Sequence, residues 1–383
     1  MALVPLALAG SSLSSYSKEI RLQLFGTNQE RAIAEIEGRA GSYKIDETLP
    51  GKPIVKVDLS FSEIDADCIR VVGNLPHLQY LSLLETSVTD DDIVPLGALT
   101  ELRALNLMST HIRGAGLLQL KGLVLLQSLN LQCTQLGDEG LACITSMSSL
   151  RELDLGFTGI TDQALAFFRV TDSQDDHAGP HGLMKLAVLN LKETRIDGPG
   201  LANLADLANL KTIYLDSSQD SDDGLAGLEK LTTLRALSLA NTQISDKALV
   251  HLEPLKQLRA LNLAGTSIAG EGLAELAELP ALETLDLTHS KLSNSGLAGL
   301  EKLSHVRALD LGSCQVSDAG MEHVAQVKSL WFLSLSFTRV TDQGLEALKG
   351  LNQLKALNVG RTKISRVGIE RLRKAWPNVR VGN

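Results

Sequence analysis

The fold is decided by the stretch Leu81-Ser-Leu-Leu-Glu-Thr-Ser-Val88, because its pattern of two leucines, a threonine and a closing aliphatic residue returns every 24 residues. The same figure stands at Leu105/Leu107/Thr110/Ile112, at Leu237/Leu239/Thr242/Ile244 and at Leu357/Val359/Thr362/Ile364. A fixed period of about 20–50 residues is typical of an array in which each unit buries its apolar side against its neighbours. Such arrays carry extended binding surfaces, so the period predicts a fold and, for function, recognition.

Thirteen units follow from this period. We call the first leucine of each figure the strand leucine, because the residues around it alternate apolar and polar as those of a half-buried strand do. The strand-leucine positions are Val57, Leu81, Leu105, Leu129, Leu153, Leu189, Ile213, Leu237, Leu261, Leu285, Leu309, Leu333 and Leu357. Every step is 24 residues except that from Leu153 to Leu189, which is 36 and predicts an insertion.

The second half of each unit predicts short helical turns. A polar pair such as Thr341-Asp342 follows the strand figure, and we expect its aspartate to cap a short helix. Apolar residues then recur at every third position, as at Leu201, Leu204 and Leu207. An α-helix would rotate such a row off one face by about 60° per step. The spacing therefore predicts one or two turns only, partly 3₁₀.

These units resemble the leucine-rich repeat, whose signature is L-x-x-L-x-L-x-x-N/C-x-L. The resemblance covers residues 54–383, and the Thr-x-Ile-x-Asp-x-Gly-Leu form is most similar to bacterial leucine-rich repeat proteins of the planctomycete kind and to the repeats of F-box adaptor proteins. It implies an α/β, right-handed solenoid with a parallel sheet on the concave face and short helices or 3₁₀ turns on the convex face. The chain departs from the family because the ninth position holds Thr, Ser or Cys and never Asn, and because Asp220 stands where the figure closes with an aliphatic residue.

The pattern divides the chain into four parts. Residues 1–16 are expected to be a flexible terminus or a signal-peptide remnant, and residues 17–53 an N-terminal cap. The cap should contain a helix over 29–38 capped by Asn28, and a strand near Tyr43. Residues 54–365 hold the thirteen repeats with an insertion near 169–182, and residues 366–383, which include Trp376, form a C-terminal cap. We expect caps because the open ends of an array must hide their core.

Composition argues against several classes of protein. The formal net charge of −9 argues against a nucleic-acid partner, because affinity for nucleic acid comes largely from Lys and Arg at phosphates. No segment approaches the roughly 18–20 unbroken apolar residues of a membrane span. The four cysteines include no CxxC pair and are expected to be free thiols. We expect a cytoplasmic monomer, with export as the alternative if Met1–Gly10 is a signal remnant.

The insertion near 169–182 carries residue types that suit a metal ion, namely Asp175, Asp176, His177 and His181. Gly179 and Pro180 deny them a helix, so the His-x-x-x-His spacing gives no shared face. A solvated loop is the prediction, and a metal or enzyme site at this loop is the remote alternative. The chain has no nucleotide-binding, zinc-protease or serine-hydrolase motif, so we predict no enzyme, no catalytic residue and no cofactor.

A basic row stands two residues before the strand leucines. Neighbouring strands lie about 4.8 Å apart, so these side chains should form a stripe along one edge of the sheet. The stripe is either a binding surface for an anionic partner or a set of solvated side chains. In the second case the aliphatic parts of Lys and Arg cover apolar surface, and their charged groups extend into water. Aspartates such as Asp154 and Asp286 in the same strands then help to neutralise the stripe. The row consists of Arg103, Arg151, Lys211, Arg235, Arg259, Arg307 and Lys355, and is interrupted by Gln127, Ala187, Glu283 and Trp331.

Aromatic residues depart from the small and polar consensus of the predicted concave face. Such side chains are the usual anchors of protein interfaces. For Trp331 and Phe332 the alternative is packing over their neighbours or against the cap, and Phe167 and Phe168 are expected to be convex core. The predicted partner-binding residues are Tyr80, Phe157, Tyr214, Trp331, Phe332 and Phe337.

The sequence therefore predicts a scaffold that binds a protein partner on its concave face. The resemblance to F-box adaptors implies an alternative, a substrate-recognition adaptor of an SCF-type ubiquitin ligase. Residues 1–53 are short for an F-box and show no Leu-Pro opening motif, which disfavours that alternative.

Overall fold

The computed structural model describes residues 26–169, 182–219 and 221–382. These residues form one open sheet of 15 strands, in which spatial order follows chain order. Strands β2 to β15 are parallel, and β1 runs antiparallel to β2 at the N-terminal end. The strands are Ser42–Ile45 (β1), Ile54–Asp58 (β2), Tyr80–Ser82 (β3), Ala104–Asn106 (β4), Ser128–Asn130 (β5), Glu152–Asp154 (β6), Val188–Asn190 (β7), Thr212–Tyr214 (β8), Ala236–Ser238 (β9), Ala260–Asn262 (β10), Thr284–Asp286 (β11), Ala308–Asp310 (β12), Phe332–Ser334 (β13), Ala356–Asn358 (β14) and Arg380–Gly382 (β15).

Each strand leucine pairs with the strand leucine of the next unit, as Leu81 does with Leu105. The register holds across the longer step, where Leu153 pairs with Leu189. The sheet therefore continues in register across the position of the insertion. Several residues discussed for their sequence lie outside the described residues, namely Met1–Gly10, Asp175, Asp176, His177, Gly179, Pro180, His181 and Asp220.

Leucines fill the space between the sheet and the convex segments. Burying one such side chain contributes about 1.5–3 kcal/mol, but a single unit has no second layer against which to bury it. One continuous hydrophobic cluster extends from Ala32 in the first helix to Leu372 in the last. The array therefore grows its core in one dimension, which allows a long chain to fold without a large globular interior.

The convex segments are short, as the three-residue apolar spacing predicts. The α-helices are Asn28–Gly38 (α1), Ala66–Val72 (α2), Asp138–Ala142 (α3), Asp162–Leu165 (α4), Met321–Val324 (α5), Asp342–Ala347 (α6) and Arg366–Ala375 (α7). The 3₁₀ helices are Val94–Ala98, Ala115–Gly122, Ala166–Phe168, Pro199–Leu204, Asp223–Lys230, Asp246–Leu252, Leu273–Glu278, Ser295–Lys302, Asp318–Gly320 and Leu348–Gly350. One expectation for this side is wrong: Phe168 is buried, but Phe167 is 40% exposed. Consecutive residues of a tight helical turn point in different directions, so both rings cannot face the core.

Helix α1 is capped by Thr27 and not by Asn28, which is a correction to the predicted cap. The Thr27 hydroxyl accepts a hydrogen bond from the backbone N–H of Glu30 at 3.2 Å. The Glu30 carboxylate accepts one in return from the backbone N–H of Thr27 at 2.8 Å. This reciprocal capping box satisfies two free donors. The helix then buries Ala32 and Ile36 over the first unit, at the end of the array where β1 also pairs.

The threonine of each figure closes its own unit. Its hydroxyl donates to the carbonyl oxygen three residues earlier, at 2.7 Å from Thr86 to Leu83 and at 2.6 Å from Thr110 to Leu107. A hydroxyl donates one hydrogen bond, whereas an amide donates two and also accepts. The substitution of Thr for Asn therefore gives a bond within the unit, and the link between units must come from elsewhere.

That link is a ladder of aspartates beyond the C-terminal ends of the strands. The Asp246 carboxylate accepts backbone N–H groups of the next unit from Ala269 (2.7 Å), Gly270 (2.9 Å) and Gly272 (2.9 Å). The helix-capping role expected for this aspartate is wrong, because the Ser245 hydroxyl already caps the same turn. The aspartate occupies the first helical position and reaches across to the neighbour instead.

Glycine replaces the ladder aspartate in three units, at Gly114, Gly198 and Gly270. All three have φ between 112° and 120°, a region that side-chain-bearing residues rarely adopt. Each also lies against a glycine of the next unit, so that a Cβ on Gly270 would stand 2.4 Å from the Cα of Gly296. In these three units, close packing of the backbone against the next unit therefore replaces the aspartate link.

The last helix is held by an ionised aspartate. The Asp342 carboxylate accepts hydrogen bonds from the Ser365 hydroxyl at 2.6 Å and from the Ser365 backbone N–H at 2.8 Å. These bonds, the hydroxyl's first, lower the pKa of Asp342 below its usual value of 3.8, because they favour the charged form. A carboxyl group whose pKa is lowered on folding contributes stability above its unfolded pKa and loses it as the pH falls through the folded value.

We therefore expect helix α7 to loosen in acid before the central strands do, at pH values below 3.8. Amide hydrogen exchange of residues 366–375 measured between about pH 6 and pH 3 checks this. In Asp342→Asn the neutral amide should hold the helix more weakly at neutral pH and remove this group's share of the acid dependence. An identical acid profile in Asp342→Asn and the parent protein would contradict the assignment.

Candidate functional site

The floor of the concave face is polar, and its side chains are mostly bonded to their own backbone. The residue after the strand leucine accepts a hydrogen bond from the N–H two residues later, as Asp310 does from Gly312 (2.8 Å) and Asn262 from Ala264 (3.0 Å). A side chain held in this way is not free to turn towards a partner. The residues that depart from the pattern are therefore the better candidates for recognition.

Trp331 and Phe332 are consecutive residues at the N-terminal end of β13: Trp331 precedes the strand, and Phe332 is its first residue. Trp331 is 54% exposed, and Phe332 is half-buried. Phe332 stands in register between Ala308 of β12 and Ala356 of β14. The two methyl groups are too small to cover the edges of the ring. The exposure of Trp331 also argues against the alternative in which it folds over its neighbours.

Phe157 and Phe337 occupy a position of unfavourable backbone geometry, four residues after the strand leucine. All thirteen units have a positive φ there, and it is 57° for both residues. Gly and Asn adopt this left-handed region readily, whereas a bulky phenylalanine does so at a cost. The two rings are 49% and 64% exposed, and Phe61, outside the predicted set, shares the position and is 68% exposed. Strained, exposed aromatic residues motivate a hypothesis of function.

Tyr214 replaces the usual Asp, Asn or Ser of the floor and has two charged neighbours. The Lys192 Nζ lies 4.9 Å from the centroid of the Tyr214 ring and 2.6 Å from Oδ2 of Asp216. The Asp216 carboxylate also accepts hydrogen bonds from the Ser238 hydroxyl and from the Ala240 N–H (3.1 Å) in the next unit. The residue after the strand leucine, here Ser238, usually accepts a hydrogen bond from the N–H two residues later. In this unit Asp216 accepts that bond from the Ala240 N–H instead. Neither Lys192 nor Asp216 is among the predicted residues. Both stand three residues after their strand leucine, where the next unit has Ala240, so two neighbouring charges at this position were a visible signal.

Tyr80 lies apart from the other predicted residues. The Lys56 Nζ stands 4.2 Å above its ring. Ten strand steps separate β3 from β13, so Tyr80 and Phe332 are roughly 48 Å apart along the sheet at about 4.8 Å per step. The six predicted residues therefore fall into three groups: Tyr80 alone, Phe157 with Tyr214, and Trp331 with Phe332 and Phe337.

Other chemistry is sparse in the described residues. Within 26–169, 182–219 and 221–382, no three or more His, Cys, Asp or Glu side chains are grouped to hold a metal ion. None of the helices in these ranges has the length and apolar character needed to cross a membrane. The four cysteines are free, and burial raises the pKa of the Cys68 thiol to about 11. A thiol with so high a pKa stays protonated and is a poor nucleophile.

Two family models match the chain in the region of these units. A model of the leucine-rich repeat region matches residues 181–370, and a model of the single leucine-rich repeat matches residues 124–144 and 146–168. The chain is a leucine-rich repeat protein. No curated protein sequence matches it.

Solved structures of other leucine-rich repeat proteins share the fold. An internalin from Listeria monocytogenes is 20% identical, with a TM-score of 0.59 over 90% of this chain and 98% of the internalin. A leucine-rich repeat protein of Leptospira interrogans is 20% identical, with a TM-score of 0.55 over 88% of this chain and 93% of its own. The plant peptide hormone receptor RGFR1, solved in complex with RGF2, is 17% identical, with a TM-score of 0.50 over 88% of this chain and 58% of the receptor. At these identities the likeness shows the fold alone, and the predicted solenoid is confirmed.

Proposed function

We propose that this leucine-rich repeat protein is a scaffold that binds a protein partner on its concave face. Solenoids of stacked repeats present long concave surfaces, and such surfaces are what these proteins use for binding. The observation that carries the proposal is the pair Trp331 and Phe332, an accessible aromatic surface on a floor that is otherwise small and polar.

The energetic argument starts from the exposed half of Trp331. A large aromatic side chain buries about 150–250 Å² when it is covered. At roughly 25 cal/mol per Å², covering the exposed part of Trp331 and the edges of Phe332 contributes on the order of 3 kcal/mol before the costs of association. Aromatic anchors of this size dominate the binding energy of protein interfaces. The pair is therefore the proposed centre of the contact.

The other predicted residues extend the same surface. Tyr214 is held by Lys192 and Asp216, so it meets a partner with little loss of side-chain freedom. Phe157 and Phe337 stand at the opposite edge of the sheet from Trp331, past the C-terminal ends of β6 and β13. The monomeric state, the cytoplasmic location and the absence of a nucleic-acid partner stay predictions, as do the ubiquitin-ligase alternative and a site at 169–182.

Affinity capture with matched variants tests the proposal. Ala308→Gln/Ala356→Gln places longer uncharged side chains on both sides of Phe332, whereas Ala298→Gln/Ala319→Gln makes the same change at exposed positions of the convex 3₁₀ helices. Protein captured from the native source by the parent chain should be retained by the convex variant and lost by the concave one. Equal capture by both variants would remove the concave face as the binding surface.

A further inference from the structure

The basic row of the sequence lies along one edge of the sheet in the structure. We call it the basic rim, and it consists of Arg103, Arg151, Lys211, Arg235, Arg259, Arg307 and Lys355. A backbone ladder joins the rim positions of neighbouring units: the Arg235 N–H donates to the Lys211 carbonyl and the Arg259 N–H to the Arg235 carbonyl, both at 2.8 Å. Their side chains therefore start from points about 4.8 Å apart along one edge of the sheet.

The rim cations are largely unpaired within the described part of the chain. One ion pair occurs, between Arg259 and Glu283, and its N···O distance of 3.8 Å is long. The other six side chains make no hydrogen bond or ion pair with a described residue. Six of the seven are exposed and Lys211 is half-buried. Unpaired positive charge along one line is notable in a chain whose net charge is −9.

The aspartates of the same strands do not neutralise the rim. Asp154 accepts a hydrogen bond from the Gly156 N–H at 3.0 Å, and Asp286 accepts one from the Thr288 N–H at 2.9 Å. Both carboxylates are thus drawn along the strand towards its C-terminal end, away from the rim at its N-terminal end. The ladder aspartates lie farther still in that direction. The floor and ladder aspartates therefore lie away from the rim, where Glu283 is the acidic residue that interrupts the row of cations.

The aromatic pair is part of the rim. The Trp331 N–H donates to the Arg307 carbonyl at 2.7 Å, and the Lys355 N–H donates to the Trp331 carbonyl at 2.8 Å. Trp331 thus stands directly between two rim cations, with Phe332 next to it on the floor. A partner segment with an apolar side chain between carboxylates is complementary to this surface. Its apolar side chain would cover the rings of Trp331 and Phe332, and its carboxylates would meet the cations on either side.

We propose that the basic rim binds an acidic, extended segment of a protein partner, with an apolar residue of that segment seated on Trp331 and Phe332. This inference rests on the proposed function and specifies the partner's chemistry. A nucleic acid would meet the same cations with its phosphates, but it offers no aliphatic side chain to seat on Trp331 and Phe332. The alternation of charge and aromatic surface therefore favours a peptide.

Fluorescence anisotropy with defined probes tests the inference. The probes are a labelled peptide of repeated Glu-Glu-Leu, its Lys-Lys-Leu counterpart and a single-stranded oligothymidine of matched charge. The full chain should bind the acidic peptide at low salt, more tightly than either other probe, and the affinity should fall as salt is added. Arg307→Glu/Lys355→Glu should weaken binding roughly tenfold or more. Lys230→Glu/Lys302→Glu, the same charge change at exposed convex positions, should leave it within about twofold.

One variant should strengthen binding, which a damaged fold cannot imitate. Glu283 interrupts the rim between Arg259 and Arg307. Glu283→Lys removes that interruption and should tighten the acidic peptide by about threefold. No binding of the acidic peptide, equal binding of oligothymidine, or no effect of Arg307→Glu/Lys355→Glu would each overturn the inference. If the charge variants bind like the parent protein while Trp331→Ala/Phe332→Ala loses the captured partner, the basic-rim inference fails and the proposed function stands. If the charge variants and the aromatic variant all bind like the parent protein, the inference and the proposed function both fail.

Discussion

Replacing Trp331 and Phe332 together with alanine should weaken the complex with the captured partner by about 2–4 kcal/mol. The change removes an indole that is 54% exposed and a phenyl ring that its alanine neighbours leave open at the edges. Neither ring belongs to the leucine core, so the loss should appear in binding and little in stability. Isothermal titration calorimetry of the purified partner against the parent and the variant measures the effect directly.

The matched control removes apolar surface of similar kind from the other side of the array. Phe167 and Val250 are exposed on the convex segments, at 40% and 49%. Phe167→Ala/Val250→Ala should bind the partner within about twofold of the parent protein, while both variants keep its unfolding midpoint. If the convex variant loses the partner and the concave variant keeps it, the proposed surface is on the wrong face.

Gly270→Ala should lower the free energy of unfolding by about 3 kcal/mol or more. The residue has a φ of 112°, and an added Cβ would stand 2.4 Å from both the Cα and the carbonyl oxygen of Gly296. Those atoms belong to the backbone of the next unit, so the clash cannot be relieved by a rotamer change. The two units must therefore separate locally, which weakens the packing between them.

Gly137→Ala is the control for this stability effect. Gly137 has an extended backbone with φ of −112°, and a Cβ there would meet no atom within 4 Å. Urea denaturation of both variants should show Gly137→Ala within about 0.5–1 kcal/mol of the parent, on either side, because a compatible alanine mainly restricts the unfolded chain. A Gly270→Ala protein as stable as Gly137→Ala would contradict the close packing of Gly270 against Gly296.

The fold follows from the sequence because its deciding signals are local and repeated. The alternation around each strand leucine and the three-residue spacing of Leu201, Leu204 and Leu207 are read from single units, and thirteen copies leave no doubt about the period. The pairing of Leu153 with Leu189 follows as well, since a longer connection between two neighbouring strands costs the array little.

The errors concern bonds between competing partners. Thr27 displaced Asn28 as the cap of α1 because Glu30 completes a reciprocal pair with it. Asp246 serves the next unit because Ser245 already caps its own turn. In each case the residue type was correctly read as a hydrogen-bonding group, but the choice of partner depends on geometry between elements. Gly114, Gly198 and Gly270 were visible in the sequence, but their role depends on the distance between neighbouring backbones, which the sequence does not give.

The candidate site was predicted less completely than the fold. The place of each aromatic residue in the sheet follows from its distance in sequence to the strand leucine. Phe332 directly precedes Leu333, as Ala308 and Ala356 precede their strand leucines, so the sequence alone places Phe332 between these two alanines. Side-chain exposure does not follow in this way, and neither does the left-handed backbone of Phe157 and Phe337. The direction of the floor carboxylates, which lie away from the rim, also depends on bonds that only the folded chain reveals.

The most direct test is amide hydrogen exchange of the full chain with and without its captured partner. Binding on the concave face should slow exchange in the segments that carry the rim and the aromatic pair, namely the strand ends around residues 307, 331 and 355. The convex 3₁₀ helices Ser295–Lys302 and Leu348–Gly350 should exchange as in the free protein. Protection confined to those convex helices, with the strand ends unchanged, would contradict the account.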